Sequence, residues 1–400
     1  MRLAFFFEGR PNWMAGYTYL SNLLKAIRLA DDRIEICLLR RPDEDIDSAS
    51  ARALAERADH LLPCPTLHLE RWSLNWAQAQ FYRRVLRRAY PDRTLNDFLA
   101  ANHIDAVFGS WWQYPTSSVF PSVGMCTWIH DFQFVHFPGF YDAGTLQSTR
   151  RGIPEIVAAA NSVVVSSKDA LKDLCSFVPQ AAPKARVLPF VADVPAETYD
   201  LDPGSVARQY HLPEKFIYLP NQFWQHKNHR QVLGALHTLS KRGIAPCIVC
   251  TGLPYDYKKP THFAELLTLI AEWGLHQQMI FLGLIPIDHV KALMRQALCV
   301  LNPSLFEGWS STVEEAKSLG KPLLLSALPV HREQNPPSTL FFDPLDPEDL
   351  ATNLETIWQT WNPGPDAHLE EMARQALPGR LRDFGQTFLS IVSEVAPSRS

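Results

Sequence analysis

The feature that most constrains this chain is a rhythm of short apolar runs alternating with amphipathic stretches, and the rhythm occurs twice. Each apolar run has the length of a buried strand, and each amphipathic stretch has apolar residues at helical spacing. Strands alternating with helices in this way form parallel sheets joined by right-handed crossovers. The predicted strands are 3–7, 33–39, 59–62, 104–109, 125–129, 162–165 and 186–190 in the first series, and 216–219, 247–251, 279–282, 298–301, 322–326 and 340–342 in the second.

The rhythm lapses between the two series, where Asp, Pro and Gly accumulate between residues 191 and 213. Such a stretch is typical of a linker. We therefore expect an α/β protein with two Rossmann-like parallel-sheet domains that face each other across a cleft, with ligands beyond the carboxyl ends of the strands. The expected boundaries are 1–195 for the N-terminal domain, 196–212 for the linker, 213–375 for the C-terminal domain and 376–400 for a last helix that packs back on the N-terminal domain.

Composition excludes several classes of protein. The 400 residues carry a formal net charge of −4 and are 46% hydrophobic, which is ordinary for a globular protein and gives no indication of a nucleic-acid partner. The seven cysteines are dispersed, which favours a reducing compartment over a disulfide framework. Cys247 and Cys250 face opposite sides of a predicted strand, which argues against a metal or dithiol site. The apolar run at the N-terminus is too short for a signal peptide or a membrane span, so we expect a cytoplasmic protein.

The most informative segment is 302–316, N-P-S-L-F-E-G-W-S-S-T-V-E-E-A, which follows a predicted strand and opens a helix. Gly308 permits an unusual turn, and the free N–H groups of the helix N-terminus favour an anion such as phosphate. Glu307 and Glu315 would then face hydroxyl groups, since carboxylates repel phosphate, and a sugar nucleotide offers such hydroxyls. The structural alternative is a capping box, formed by Thr312 with Glu315 or by Ser311 with Glu314, and the two readings are about equally supported.

A second segment lies beyond a strand end of the same predicted domain: 221–229, N-Q-F-W-Q-H-K-N-H. Lys227 in this position can supply a point charge to a phosphate, although a lone lysine is more often a solvated loop residue. His226 and His229 lack a third ligand, so they indicate a metal only weakly.

These segments carry a family resemblance. The two glutamates within E-G-W-S-S-T-V-E-E-A-K-S-L-G-K-P, together with 221–229 and S-A-L-P-V-H-R-E at 326–333, resemble the retaining glycosyltransferases of glycosyltransferase family 4. The resemblance implies the GT-B fold, with a donor site in the C-terminal domain and the acceptor side in the N-terminal domain. It implies that Glu307 lies by the transferred sugar, that Lys227 holds the diphosphate and that Glu315 binds the ribose. The other implied donor-binding residues are Gly308, Trp309, Ser310, Ser311, Thr312, Asn221, Leu284 (near the base) and Gly16.

The N-terminal half resembles the family more loosely. His130 ends a predicted strand, and on the residues alone it is more often satisfied by a neighbouring loop than functional. The resemblance implies instead that His130 contacts the donor sugar, while Asp131 braces its loop. Gly16, at the opening of the first helix, would let the backbone approach the diphosphate or the acceptor.

Three positions depart from the family pattern. Gln222 stands where the family often has an arginine, which leaves Lys227 with more of the phosphate charge. Ser310 replaces a glycine that usually follows the E-G pair, and the early loop reads Met14-Ala15-Gly16 instead of carrying two adjacent glycines.

In segment 70–93, the aromatic residues Trp72, Trp76, Phe81 and Tyr82 alternate with six arginines. One interpretation is a helix resting on an anionic membrane surface, where a lipid-linked acceptor would be found. The other, which we favour, is a surface helix whose aromatic residues pack into the domain.

The sequence therefore predicts a retaining, metal-independent glycosyltransferase that moves a hexosyl group from a nucleoside-diphosphate sugar to a glycan or lipid-linked acceptor. The sugar nucleotide is a substrate, and no cofactor is expected. Alternatives are a nucleotide-sugar epimerase of the same fold and a non-catalytic scaffold. A metal-dependent transferase would need an Asp-x-Asp motif, and the matches at 43–47 lie in a polar stretch typical of a solvated loop. A dehydrogenase is poorly supported because no G-x-G-x-x-G follows the first strand.

Overall fold

The computed structural model of the protein describes residues 1–6, 14–41, 49–64, 77–78, 81–82, 85, 90–91, 93–114 and 118–397. The chain divides into two compact units. The first unit consists of Met1–His136, Ala143–Val191 and Gly379–Ser400, and the second of Phe137–Asp142 and Ala192–Pro378. Most of segment 70–93 and all of 43–47 lie outside the described residues, so the two interpretations of 70–93 stay predictions.

The first unit is built on a seven-stranded parallel sheet. Its inner strands are almost wholly buried, as the continuous apolar runs predicted, because helices cover both faces of a parallel sheet, whereas the edge strands are more exposed. The strands are β1 (Arg2–Phe6), β2 (Glu35–Arg40), β3 (His60–Pro63), β5 (Ala106–Ser110), β7 (Gly124–Trp128), β8 (Ser162–Val165) and β9 (Ala185–Val187), in the order β3-β2-β1-β5-β7-β8-β9. Two short strands, β4 (Tyr90–Pro91) and β6 (Ser118–Val119), pair separately.

The helices of this unit match the predicted alternation. They are α1 (Met14–Ala30), α2 (Ala49–Ala55), α3 (Arg93–Ala101), α4 (Gln133–His136), α5 (Ala143–Ala159) and α6 (Lys168–Phe177). Helix α1 begins before Gly16, so the expectation that this glycine opens the helix is wrong by two residues. Gly16 lies in the first turn of the helix, where backbone N–H groups have no partner within the helix.

The second unit has a six-stranded parallel sheet in the order β12-β11-β10-β13-β14-β15. Central strand β10 is flanked by β11 and β13, so the chain reverses its direction of winding at this strand. In doubly wound sheets, the crevice beyond such a reversal is where ligands bind. The strands are β10 (Ile217–Leu219), β11 (Ile248–Cys250), β12 (Met279–Phe281), β13 (Val300–Asn302), β14 (Leu323–Ser326) and β15 (Thr339–Phe342).

Helices again alternate with these strands. They are α7 (Pro203–Gln209), α8 (His229–Lys241), α9 (His262–Trp273), α10 (Ile287–Gln296), α11 (Ser311–Ser318), α12 (Pro329–Gln334), α13 (Pro347–Thr360) and α14 (Ala367–Ser393). Helix α7 falls inside the stretch predicted to be a linker. The Asp202 carboxylate accepts hydrogen bonds from the Gly204 and Ser205 N–H groups, and Pro203 occupies the first turn, so residues typical of turns here start a helix.

Apolar burial holds each unit together. On one face of the second sheet, Ile217, Leu219 and Ile248 pack with Val232 and Leu236 of α8. Each such buried side chain contributes about 1.5–3 kcal/mol to the stability of the fold. In the first unit, Phe388 of α14 packs edge-on against Phe108 at 5.1 Å. Among the described residues, no helix is both long enough and apolar enough to cross a membrane.

Candidate active site

The loop between β13 and α11 is held by a buried polar network at the carboxyl edge of the second sheet. Asn302 ends β13 and is fully buried, and its Nδ2 donates to Ser310 Oγ at 2.8 Å. The hydroxyl of Ser304 lies 2.7 Å from Asn302 Oδ1 and 2.7 Å from Glu307 Oε1, so it donates its single proton to one of the two. The network fixes both ends of the loop that carries Glu307 and Gly308.

Lys227 and Glu307 form an ion pair within this network. Lys227 Nζ lies 2.6 Å from Glu307 Oε1, and the two side chains are only 13% and 9% exposed. Burial alone would raise the pKa of the Glu307 carboxyl, but the nearby charge of Lys227 and its hydrogen bond hold the pKa below its usual value. Glu307 is therefore ionised at neutral pH. The fold brings together a lysine and a carboxylate that are 80 residues apart in the sequence.

Two histidines, His226 and His331, lie near this ion pair. Burial lowers the pKa of His226 to about 3 and also lowers the pKa of His331, so both rings are neutral at physiological pH. His331 Nδ1 donates to the Ser326 carbonyl at 2.9 Å, which leaves its Nε2 as a buried nitrogen without a hydrogen-bond partner among the described residues. The His226 carbonyl accepts from the Leu305 N–H at 2.7 Å and ties the two loops together.

Helix α11 is capped by a residue other than the predicted ones. Ser310 is the N-cap, and its hydroxyl accepts from the Val313 N–H. The capping boxes predicted from Ser311 and Thr312 therefore do not form, because the helix begins one residue earlier than the first requires and two residues earlier than the second requires. Glu314 is instead buried and accepts a hydrogen bond from Gln334 Nε2 at 3.2 Å. The N-terminus of this eight-residue helix thus lies beside Glu307, as an anion site requires.

Glu315 lies one turn further along α11 in a different electrostatic setting. Burial raises the pKa of its carboxyl to about 7, and only the charge of Lys291, on α10, opposes the shift. The carboxylate of Glu315 is therefore poised between its two protonation states near neutral pH, whereas Glu307 is held ionised.

Asn221 and Thr312 join the strand edge to the same helix. Asn221 Oδ1 accepts from Thr312 Oγ1 at 3.3 Å, and both residues are buried. The Asn221 backbone is approached closely by Gly252, whose φ is +130° and whose added Cβ would lie 2.5 Å from the Asn221 carbonyl oxygen. Only glycine fits that position, which keeps the loops after β10 and β11 in contact.

Other predicted residues occupy less constrained positions. Leu284 is 68% exposed, as a residue at an open pocket rim would be. Gly308, Trp309 and Ser311 are partly exposed along the loop and the helix start. Gln222, where the family often has arginine, accepts from the Leu253 N–H at 2.7 Å and so serves the loop backbone.

At the corresponding edge of the first sheet, the structure describes a histidine between aromatic rings. His130 Nε2 lies 3.0 Å from Ser110 Oγ, and the imidazole is flanked by the Trp128 and Trp112 rings at 3.8 and 4.3 Å. Burial lowers the pKa of His130 to about 3, so the ring is neutral. Asp131 accepts from the Gln133 N–H at 3.0 Å, which confirms that it braces its loop.

Gly16 lies at the same edge of the first sheet. It lines a small cavity with Ser110, Trp128 and Tyr19, and it is buried. His130 and Gly16 therefore belong to the first unit, while every other predicted site residue belongs to the second.

Sequence reasoning missed four residues that shape the second-unit site: Asn302, Ser304, His331 and Lys291. Asn302 and Ser304 stand in the quoted segment, five and three residues before Glu307, and the strand end could have indicated them. His331 stood in the quoted 326–333 segment without a role. Lys291 gave no sequence signal, because a lysine in an amphipathic helix is expected on the solvent face.

The described residues include no cluster of three or more His, Cys, Asp or Glu side chains arranged to hold a metal ion. All seven cysteines are free thiols.

The second unit matches a known family. Residues 208–376 match the family model of glycosyl transferases group 1. Among curated proteins, no sequence is significantly similar to this chain.

Solved structures share the fold of the whole chain. HepE of Anabaena, solved with UDP and glucose, has a TM-score of 0.64 at 14% identity and covers 98% of this chain and 100% of its own. A glycosyltransferase from Rickettsia africae has a TM-score of 0.63 at 13% identity over 98% of both chains. Sucrose-phosphate synthase from Thermosynechococcus elongatus has a TM-score of 0.61 at 14% identity over 99% of this chain and 95% of its own.

These likenesses confirm the predicted GT-B fold, with one Rossmann-like sheet in each unit. The fold alone would leave the activity open, since one fold hosts many functions. The family match supplies the activity, because it spans the strands and helices that carry Lys227, Glu307 and Glu315. Residues 208–376 thus match the model of glycosyl transferases group 1, and the chain is a glycosyltransferase with the GT-B fold.

Proposed function

We propose that the chain moves a hexosyl group from a nucleoside-diphosphate sugar to a glycan or lipid-linked acceptor, with retention of anomeric configuration and without a metal ion. The observation that carries the proposal is the buried ion pair of Lys227 and Glu307 beside the N-terminus of α11. A buried cation next to free backbone N–H groups suits a diphosphate, and an ionised carboxylate suits sugar hydroxyls.

Each group then has a separate task. Lys227 and the α11 N-terminus stabilise the negative charge that grows on the departing diphosphate. When Lys227 pairs with the diphosphate, the Glu307 carboxylate becomes available to accept hydrogen bonds from hydroxyl groups of the hexosyl ring. Glu315 accepts hydrogen bonds from ribose hydroxyls, and the neutral His130 side chain hydrogen-bonds a hydroxyl of the transferred sugar.

Retention follows from an attack on the face that the leaving group vacates. The anomeric carbon–phosphate oxygen bond breaks, the acceptor oxygen bonds to the same face of that carbon, and the acceptor proton passes to the departing phosphate. Lys227 and the helix N-terminus carry the leaving-group charge in this scheme, so neither a metal ion nor a protein nucleophile is required.

The similarity to HepE, which has been solved with UDP-glucose, makes a UDP-sugar the first donor to test. The acceptor class, a carbohydrate or a lipid-linked carbohydrate, rests on the resemblance and on the aromatic and basic residues of 70–93. A peripheral position on the inner face of a membrane is part of the same proposal.

The proposal is tested by following nucleotide release from UDP-, GDP- and ADP-glucose with a mixture of glycan acceptors in the presence of EDTA. Acceptor-dependent release, with an α-configured product from an α-configured donor, is expected. Conversion of the donor sugar without an acceptor would favour the epimerase. Nucleotide binding with no turnover on any acceptor would favour the scaffold, and inversion or a metal requirement would overturn the mechanism.

A further inference from the structure

A cavity of about 390 Å³ opens at the carboxyl edge of the second sheet, beyond β14 and β15. Its volume falls within the range of roughly 300–1,000 Å³ that is typical of small-molecule sites. Ala327 follows β14, and Asp343 and Pro344 follow β15, so the cavity lies beyond the strand ends where doubly wound sheets bind ligands. The other lining residues are Arg332, Phe341, Phe342 and Asp349. The proposed function gives none of these residues a role.

The arginine of this cavity is held by an aromatic ring and not by a carboxylate. The guanidinium carbon of Arg332, on α12, lies 4.6 Å from the centroid of the Phe341 ring. Arg332 lines the same cavity as Asp343 and Asp349, yet it forms no ion pair with either of these two described residues. A guanidinium has five N–H donors at its edges, and stacking on a ring leaves them available. Arg332 is exposed, so these donors can reach a ligand in the cavity.

Both carboxylates of the cavity are oriented by hydrogen bonds from their surroundings. Asp343 Oδ1 accepts from the Leu345 N–H at 2.8 Å, and Asp349 Oδ2 accepts from the Asp343 N–H at 2.8 Å. Asp349 Oδ1 also accepts from Asn353 Nδ2 at 3.2 Å. A carboxylate has about four lone-pair sites, so each side chain keeps capacity to accept further hydrogen bonds. The cavity therefore presents oriented acceptors together with an oriented donor group.

One wall of the cavity is tied to the loop that carries Glu307. Ala327 lines the cavity, and its neighbour Ser326 donates through Oγ to the Ser304 carbonyl at 2.7 Å. The Ser304 hydroxyl in turn lies 2.7 Å from Glu307 Oε1. The strand end beside the cavity is thus joined to the carboxylate of the candidate active site by consecutive short hydrogen bonds.

Another wall is tied to the loop that carries Lys227. Asn228, the next residue, donates through Nδ2 to the Pro344 carbonyl at 3.0 Å. Strand β15 lies two places from β13 in the sheet, which corresponds to about 10 Å at ~4.8 Å between neighbouring strands. The cavity therefore lies on the same edge as the ion pair, displaced along it and not superimposed on it.

We propose that this cavity binds a neutral sugar unit of the acceptor glycan, one beyond the unit that receives the hexosyl group. Asp343 and Asp349 accept hydrogen bonds from hydroxyl groups of that sugar, and Arg332 donates to its hydroxyl or ring oxygens. Phe341 and Pro344, both partly exposed, offer apolar surface to the carbon face of the ring. This inference rests on the proposed function, because it adds a subsite for the acceptor of the same reaction.

The charges of the cavity favour a neutral sugar over an acidic one. One guanidinium and two carboxylates leave an excess of negative charge, which opposes the approach of a uronic acid or a sugar phosphate. Anion binding by Arg332 alone is the competing role. In that role acidic sugars bind more tightly than neutral ones, and the loss of a carboxylate strengthens the binding.

The first experiment measures dissociation constants by ligand-observed NMR for wild type, Arg332→Met and Asp343→Asn. The probes are gluco-, galacto- and manno-tetrasaccharides and the same tetrasaccharides ending in a uronic acid. Methionine keeps an apolar stem beside Phe341, and asparagine keeps the oxygen that accepts from the Leu345 N–H. Arg382→Met, at an exposed position on α14, is the matched control.

Wild type should bind at least one neutral tetrasaccharide, and more tightly than its acidic counterpart. Arg332→Met and Asp343→Asn should each weaken that binding by about 10- to 100-fold, the effect of losing one hydrogen bond to a charged group. Arg382→Met should bind as wild type does.

The second experiment follows transfer from UDP-, GDP- and ADP-glucose to the tetrasaccharide that binds best and to the corresponding monosaccharide. Arg332→Met should raise the KM for the tetrasaccharide by about tenfold or more and leave kcat unchanged. The KM for the monosaccharide should not change, because a single unit does not reach the cavity. A general loosening of the loops would instead change both acceptors alike.

If wild type binds no neutral tetrasaccharide, or if both variants bind as wild type does, the subsite is overturned whether or not transfer occurs. Tighter binding of acidic sugars that depends on Arg332 and not on Asp343 assigns an anion site and also overturns it. Binding that requires both residues, with no transfer to any acceptor, keeps the sugar site and contradicts the proposed function. Should Arg332→Met melt well below wild type, Arg332→Lys keeps the charge without the guanidinium fork and must show the same weakening.

Discussion

The carboxyl edges of the two parallel sheets differ in the side chains that the structure describes there. The second-unit edge carries the buried Lys227–Glu307 ion pair, the helix N-terminus capped by Ser310 and a carboxyl with a raised pKa at Glu315. The first-unit edge carries a neutral histidine between two tryptophan rings, with a serine hydroxyl at 3.0 Å. A charged edge suits a nucleoside diphosphate, and a neutral aromatic edge suits a polyhydroxylated ring. The described residues of the two edges therefore offer different chemistry to a ligand: an ion pair and a helix N-terminus in the second unit, and a neutral imidazole between aromatic rings in the first.

The largest expected effect is that of replacing Glu307 at the second-unit edge. Glu307→Gln should lower transfer by about 100- to 1000-fold, because a group aimed at the transition state is lost while the shape of the side chain is kept. Initial rates at saturating donor provide the measurement. Glu272→Gln, at an exposed position on α9, is the control and should keep wild-type turnover. Near-wild-type turnover in a folded Glu307→Gln protein would refute the role given to Glu307.

Replacing Lys227 should weaken the binding of the donor nucleotide through its phosphates. Lys227→Met is expected to weaken UDP binding by about 10- to 100-fold, since a charged hydrogen bond to phosphate is lost and Glu307 is left buried without its cation. Binding of uridine, which has no phosphate, should change far less. Equal losses for uridine and UDP would place Lys227 away from the diphosphate.

Glu315 gives the second-unit edge a pH dependence. Its pKa is raised to about 7, so the carboxyl takes up a proton as the pH falls through 7 and loses an acceptor for the ribose hydroxyls. UDP affinity should therefore fall by up to about tenfold for each pH unit below 7. Glu315→Gln should bind more weakly at pH 8 and show a flatter profile. Subtracting the two profiles removes the titration of UDP itself, and parallel profiles would contradict the assignment.

By contrast, His130 should add no pH dependence to the transfer rate. Its pKa is lowered to about 3, so it contributes no change in transfer rate between pH 5 and 9. His130→Ala should reduce transfer by about tenfold, the effect of one neutral hydrogen bond, and leave UDP affinity unchanged. The exposed His276→Ala is the control. A histidine-dependent inflection near pH 6.5 in the wild-type rate would show that the ring is not neutral.

The smallest expected effect lies at the helix cap. Ser310→Ala removes the hydroxyl that accepts from the Val313 N–H and should lower the free energy of unfolding by about 1 kcal/mol. Ser311→Ala, one residue on, is the matched control and should lower it less, because Ser311 does not cap the helix. If chemical denaturation showed equal losses of stability for the two variants, the capping box predicted from the sequence would be supported instead.

The sequence predicted the architecture because fully buried parallel strands are mostly continuous apolar runs, as β10 and β11 are. It failed in the stretch predicted to be a linker, because Asp202, Pro203 and Gly204 are as typical of a helix start as of a turn. It also placed the cap of α11 one or two residues late. Helix ends depend on which side chain reaches a free N–H, which a pattern alone does not determine.

Within the site, the motif residues were found because their segments follow predicted strands and resemble a known family. The pairing of Lys227 with Glu307 could not be read from spacing, since it joins loops that follow different strands. Lys291 was missed because a lysine in an amphipathic helix is expected on the solvent face, whereas this residue is only 9% exposed.

The central claim is that the second unit binds a nucleoside diphosphate through Lys227. The most direct measurement is a thermal-shift series with UDP, GDP and ADP in EDTA, on wild type and on Lys227→Met. One nucleotide at 100 times its Kd should stabilise wild type by about 2.7 kcal/mol and should shift Lys227→Met much less at the same concentration. If no nucleotide shifts wild type, or if both proteins shift equally, the donor site does not lie where this account places it.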